Sequence, residues 1–182
     1  MATSRAYLQE LIPSSDIVTE WKSSAATHWT EIDDDPDAPT TGSYINAPGL
    51  SYRNKVDRFG LTNPNKNNLE GGFDQIRVGF FAWHPSGQPN IEVYVRVYVK
   101  GAWTGYLTKT VTGEGADEGA IYSGTWYEFC CDQNDADDIQ VEVKSSSSTE
   151  AGNSVIIAAL RVYIQASDIL TAATARKLAH FI

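Results

Sequence analysis

Residues Asn90 to Lys100 read NIEVYVRVYVK, an alternation that runs without a fault. Ile91, Val93, Val95, Val97 and Val99 fall on one face, and Glu92, Tyr94, Arg96, Tyr98 and Lys100 on the other. Successive strand side chains take opposite faces, so this is a strand with one aliphatic, core-facing side. Its other side carries two tyrosines among charges, the composition of a surface that touches something.

The same period recurs around it. Gln75–Trp83 places Ile76, Val78, Phe80 and Ala82 inside, and Ile139–Lys144 places Ile139, Val141 and Val143 inside. Ser154–Ala166 would bury Ile156, Ala158, Leu160, Val162 and Ile164. Trp103–Thr112 and Ile121–Cys131 read as further strands. Before Phe73 the chain is rich in turn formers, and short strands are expected at His28–Ile32, Ser43–Ala47 and Tyr52–Leu61. No βα alternation occurs, which argues against a parallel sheet. The pattern predicts an all-β fold: an antiparallel β-sandwich or jelly roll of about 8–10 strands. It divides into an N-terminal arm over 1–15, a sandwich domain over 16–166, and a C-terminal helix or arm over 167–182. Asp168 can cap that last piece, which is rich in helix formers and ends in Phe181-Ile182.

At 182 residues the chain can bury one sizeable core. Its formal charge of −9, with no basic stripe, argues against nucleic acid. No stretch approaches the ~20 apolar residues of a membrane span. Cys130 and Cys131 are neighbours, and a ring between adjacent cysteines is strained, so two free thiols are expected, as in a protein that folds in a cytosol.

Signs of chemistry are few. His28, His84 and His180 fall in three separate elements without metal-ligand spacing. No nucleophile elbow, Walker loop or dinucleotide fingerprint is present. The acidic run Asp132–Asp138 has Ala136 at the fifth position of a calcium-loop pattern and Asp137 where glycine is required, so it is not an EF-hand. Asp33–Asp37 is read, like it, as solvated loop charge. No catalytic residue, cofactor or metal site is expected.

The segment from Asp16 to Ala47 resembles the opening of small β-sandwich structural proteins of tailed bacteriophages. The residues that carry the likeness are Asp16, Trp21, Trp29, Ile32, Asp33, Pro36, Asp37, Tyr44 and Ile45. It extends over roughly residues 14–166. The chain departs from it at the acidic triple Asp33–Asp35, at the polar insert Asn63–Asn68 and in the tail after Asp168. The resemblance implies a non-enzymatic virion component, above all a capsid decoration (cement) or head-accessory protein. It would fold in the bacterial host cytoplasm, then bind copies of itself, expected as a trimer, and a major capsid or other virion protein. The contact residues would be Tyr94, Arg96, Tyr98, Leu178, Phe181 and Ile182. The alternative is a tail- or fibre-associated carbohydrate-binding module. Exposed aromatic rings stack on sugars, and Trp83, Trp103, Tyr106 and Trp126 are its candidates.

Overall fold

The computed structural model of the protein describes residues 7–25, 27–65, 69, 72–113, 120–122, 131–132, 134–146 and 153–165. Twelve strands are found among them: β1 (Tyr7–Leu11), β2 (Pro13–Thr19), β3 (Lys22–Ser23), β4 (Ile45–Pro48), β5 (Val56–Leu61), β6 (Gln75–Trp83), β7 (Ile91–Val99), β8 (Ala102–Trp103), β9 (Leu107–Val111), β10 (Ala120–Tyr122), β11 (Gln140–Ser145) and β12 (Ser154–Gln165). One sheet runs β10-β6-β12-β4-β3, with β1 beside β4 along the same edge of β12. The other runs β2-β5-β11-β7, and β7 carries both β8 and β9 on its far edge. Every ladder between these strands is antiparallel, as the period-2 patterning predicted.

The two sheets bury one aliphatic core. The second sheet supplies Phe59, Val93, Val95, Val97, Val141 and Val143, and the first supplies Ile76, Val78, Phe80, Ile157, Leu160 and Val162, all without exposed surface. Burying a Val or Ile side chain stabilises by about 1.5–3 kcal/mol as an upper estimate. The five aliphatics of β7 are all buried. That face alone anchors the strand, so its outer face can be spent on something else.

Several expectations are corrected. Tyr7–Leu11, placed in an arm, is a strand on β12, and Pro13–Thr19 pairs with β5. His28–Ile32 is a 3-10 turn over Trp29–Glu31. Its cause is Asp16 on β2, whose two carboxylate oxygens accept the successive backbone N–H groups of His28 (3.0 Å) and Trp29 (2.8 Å). The consecutive donors curl toward one acceptor, and the segment cannot stay extended. In β12 a register shift between Ile157 and Ala159 inserts one residue, and a bulge of this kind reverses the alternation. Val155 and Ile157 therefore face the core, while Ile156 and Ala158 lie on the outer side with Phe81 and Trp83. Cys131 is buried; Cys130 and the expected C-terminal helix or arm lie outside the described residues.

A second buried carboxylate ties β5 to the chain after β2. Asp57 accepts the backbone N–H groups of Glu20 (2.7 Å) and Trp21 (2.9 Å) and faces His28 Nδ1 at 2.5 Å. Burial outweighs these partners and raises the Asp57 pKa. Trp21 and Asp16, residues of the opening motif, thus serve to fold this corner.

The turn after β7 sets up the functional face. Lys100 (φ 53°) and Gly101 (φ 79°) both take the left-handed region, the signature of a two-residue hairpin turn whose twist matches its strands. Val99 then opposes Ala102 and Tyr98 opposes Trp103. A Cβ at Gly101 would meet no atom within 4 Å, so substitution there tests backbone strain alone. Gly101→Val is expected to cost about 1–2 kcal/mol in urea unfolding, whereas Gly105→Ala, also in open space but without positive φ, should be near neutral.

Candidate functional site: the outer face of the second sheet

Pairing of β5, β11 and β7 lays out the outer face as rows. Glu142 on β11 opposes Arg58 on one side and Arg96 on the other. In the row on one side of this, Lys144 opposes Tyr94; in the row on the other, Gln140 opposes Tyr98, which opposes Trp103. Cross-strand neighbours of this kind touch, and here they form one connected cluster.

Glu142 lies at its centre with no exposed surface. Arg58 donates through Nε (3.1 Å) and Nη2 (2.7 Å) to Oε2, Arg96 donates through Nε (2.8 Å) to Oε1, and the Tyr106 hydroxyl also donates to Oε1. Burial opposes ionisation of Glu142, but the bonds from Arg96, Tyr106 and Arg58 outweigh it and hold its pKa below the usual carboxylate value. The Tyr106 phenol is pushed up to about 12, first by burial and then by its bond to Glu142. Tyr94 is also raised, first by its hydrogen bond to Glu92 (2.8 Å) and then by burial.

Above the carboxylate, cations and rings alternate. The Arg58 guanidinium lies 4.7 Å from the Trp103 ring centroid. Arg96 lies 4.5 Å from the Trp103 centroid and 4.5 Å from that of Tyr106. Lys144 Nζ lies 5.2 Å from Tyr106 and 5.8 Å from Tyr94. Tyr94 meets Tyr106 edge-on at 6.2 Å, and Tyr98 leans on Trp103 at 5.4 Å. Each such contact contributes on the order of 0.5–1 kcal/mol at exposed sites, less than a core residue gives. Their main effect is to fix the rings in place while Tyr106 stays 36% exposed.

The sequence-predicted residues divide accordingly. Tyr94, Arg96, Tyr98, Trp103 and Tyr106 come together on this face. Trp83 does not: it lies on the other sheet, 6% exposed, packed edge-on against Tyr44 and Phe81, because its strand turns that side chain into the outer cluster of β6 and β12. Trp126, Leu178, Phe181 and Ile182 lie outside the described residues. Arg58, Glu142 and Lys144 were not anticipated; alternation placed Glu142 outward, and only strand register reveals its partners.

Elsewhere the acidic loops spend their carboxylates on their own backbone. Asp132 Oδ1 accepts the N–H of Asn134 (2.7 Å), Asp135 Oδ2 that of Asp132 (2.9 Å), and Asp35 Oδ1 that of Asp37 (2.9 Å), as Asp does in turns. Among the described residues no group of three or more His, Cys, Asp or Glu is placed to hold a metal ion, and no helix is long and apolar enough to cross a membrane.

Glu142→Gln should lower stability by about 3 kcal/mol, since it leaves two guanidinium groups over an uncharged buried partner. The sign with pH follows from the lowered pKa. The carboxylate's contribution is complete above the ordinary value of 4.5 and is lost as pH falls through the lower folded-state value. The difference in Tm between wild type and variant should therefore be constant near neutrality and shrink in acid, checked by thermal melts at stepped pH.

No protein-family model matches the chain, and no curated protein matches it. Among solved structures it is similar to the CBM22-1 xylan-binding domain of Paenibacillus barcinonensis Xyn10C, with TM-score 0.44 and 10% identity over 92% of this chain and 100% of that one. It is also similar to the Agl-KA catalytic domain (TM-score 0.47, 12% identity, 91% of this chain) and to the arabinose-bound MgGH51 α-L-arabinofuranosidase (TM-score 0.41, 12% identity, 87% of this chain). The chain spans only 28% and 27% of the length of those two. All three TM-scores lie below 0.5, and what these proteins bind or cleave stays with them. Of the phage resemblance, the two antiparallel sheets bear out the β-sandwich.

Proposed function

We propose that the protein is a non-catalytic carbohydrate-binding module that receives a glycan on the outer face of its second sheet. The observation that carries this reading is the set of partly exposed rings, Tyr94, Tyr98, Trp103 and Tyr106, fixed on one sheet face among Arg58, Arg96 and Lys144. A sugar offers apolar C–H faces beside hydroxyl groups. It needs aromatic surface and hydrogen-bond donors side by side, already ordered before it arrives. Rings held by cation contacts and a buried carboxylate meet that need with little ordering cost on binding.

The second reading is the assembly role: a virion decoration or head-accessory subunit that uses this face against copies of itself or a capsid protein. Two features favour it. Trp, Tyr and Arg are the residues that dominate protein–protein hot spots, and the cations against Trp103 and Tyr106 already occupy ring surface that a sugar would use.

Titration calorimetry against a panel of soluble polysaccharides, with sedimentation velocity on the same samples, separates the two. The glycan reading expects binding that Trp103→Ala weakens about tenfold or more, with an unchanged sedimentation coefficient. If no glycan binds at millimolar concentration and Tyr94→Ala with Tyr98→Ala dissociates an oligomer, the assembly reading replaces it.

A further inference from the structure

We infer that this face selects an acidic glycan, seating a sugar carboxylate against Arg96 and Lys144, the two cations that contact the Tyr106 ring. The inference rests on the carbohydrate-binding reading and names its ligand class.

Charge and depth set this face apart. Three cations crown the face, and the carboxylate that partners two of them is sunk beneath it: the Glu142 side chain is 1% exposed, those of Arg58 and Arg96 26% and 24%. An arriving ligand meets guanidinium and ammonium groups, not Glu142. The other carboxylate of β7's outer row, Glu92, stands at the start of the strand and accepts the Tyr94 hydroxyl. Local excess positive charge in a chain of net charge −9 is a feature that a neutral sugar does not require.

Geometry narrows it further. Arg58 commits both Nε and Nη2 to Glu142, whereas Arg96 commits Nε alone. The terminal Nη1 and Nη2 of Arg96 take no part in the Glu142 contact and form the planar fork that suits a carboxylate. Among the described residues Lys144 contacts the rings of Tyr94 and Tyr106, and its ammonium is a compact second charge against the Tyr106 ring. A sugar laid along Tyr106 would carry its carboxylate toward one or both.

The test titrates the intact protein with oligogalacturonate, its fully methyl-esterified form and xylo-oligosaccharide, at about 20 mM and about 300 mM NaCl, where screening lengths differ severalfold. The acidic oligomer should bind roughly tenfold more tightly than either neutral one at low salt and lose most of that advantage at high salt. Lys144→Gln should weaken the acidic oligomer about fivefold, clearly more than it weakens the neutral ones, with its melting temperature confirming the fold. Equal binding of acidic and neutral oligomers overturns the inference and leaves the carbohydrate reading standing. An acidic preference untouched by Lys144→Gln overturns the assigned seat. Binding of no glycan at all overturns both.

Discussion

A glutamate with no access to water can stay ionised only if its surroundings repay the lost hydration, and the outer face of the second sheet is built around that requirement. Glu142 is surrounded by Arg58, Arg96 and the Tyr106 hydroxyl, each delivered by a different segment of chain. The pairing β5-β11-β7 must be in register for the two guanidinium groups to reach it. A slip of one residue in either ladder would put a valine at its place and bury the charge in the core. The ion cluster and the strand register therefore enforce one another.

Ion clusters of this kind are weak sources of net stability, because desolvation consumes most of the Coulombic gain. The core contrasts sharply. β7 alone buries five aliphatic side chains, and both sheets contribute fully buried residues to the same cluster. An apolar or simply polar outer face would have served the fold as well. The costly arrangement is instead concentrated where rings are partly exposed. The first sheet's outer face also sets a cation against a ring, Arg77 lying 5.4 Å from Tyr163, but that ring is buried. Trp83, Phe81 and Tyr44 form an aromatic cluster on that sheet, but Trp83 and Phe81 are buried and serve packing.

The contrast between Trp83 and Trp103 also marks what a one-dimensional reading can reach. Alternation made the strands β6, β7 and β11 legible together with their core residues, because each face there keeps one period from end to end. It failed in β12 at the Ile157/Ala159 bulge, where an inserted residue changes phase without changing composition. It failed at His28–Ile32, where the decisive partner, Asp16, is twelve residues away and acts through backbone N–H groups. The site was half legible. Tyr94, Arg96 and Tyr98 share one strand and one face, and the Lys100-Gly101 turn brings Trp103 beside them. Arg58 and Glu142 are 84 residues apart, and nothing in their local sequence shows that they meet. Strand order decides it, and strand order follows from the burial of whole faces.

Charge places a final constraint on any ligand of this face. The chain is acidic as a whole, so a polyanion approaching from a distance meets net repulsion, and long-range steering works against it. Attraction begins only within about a Debye length of the platform, ~8 Å at physiological ionic strength, where Arg96, Lys144 and Arg58 dominate the local field. A neutral or sparsely charged chain would reach the rings without that barrier. A densely charged polymer would bind only if its anionic groups matched the spacing of the three cations while the rest of the chain stayed clear of the acidic surface. The same balance bears on self-association. Two copies meeting face to face would bring like cations together over Trp103 and Tyr106, at a cost that only a complementary acidic patch could offset. Contact between copies through this face is therefore expected to be offset, cationic platform against an acidic loop such as Asp132–Asp138, and a symmetric pairing of the two platforms is disfavoured.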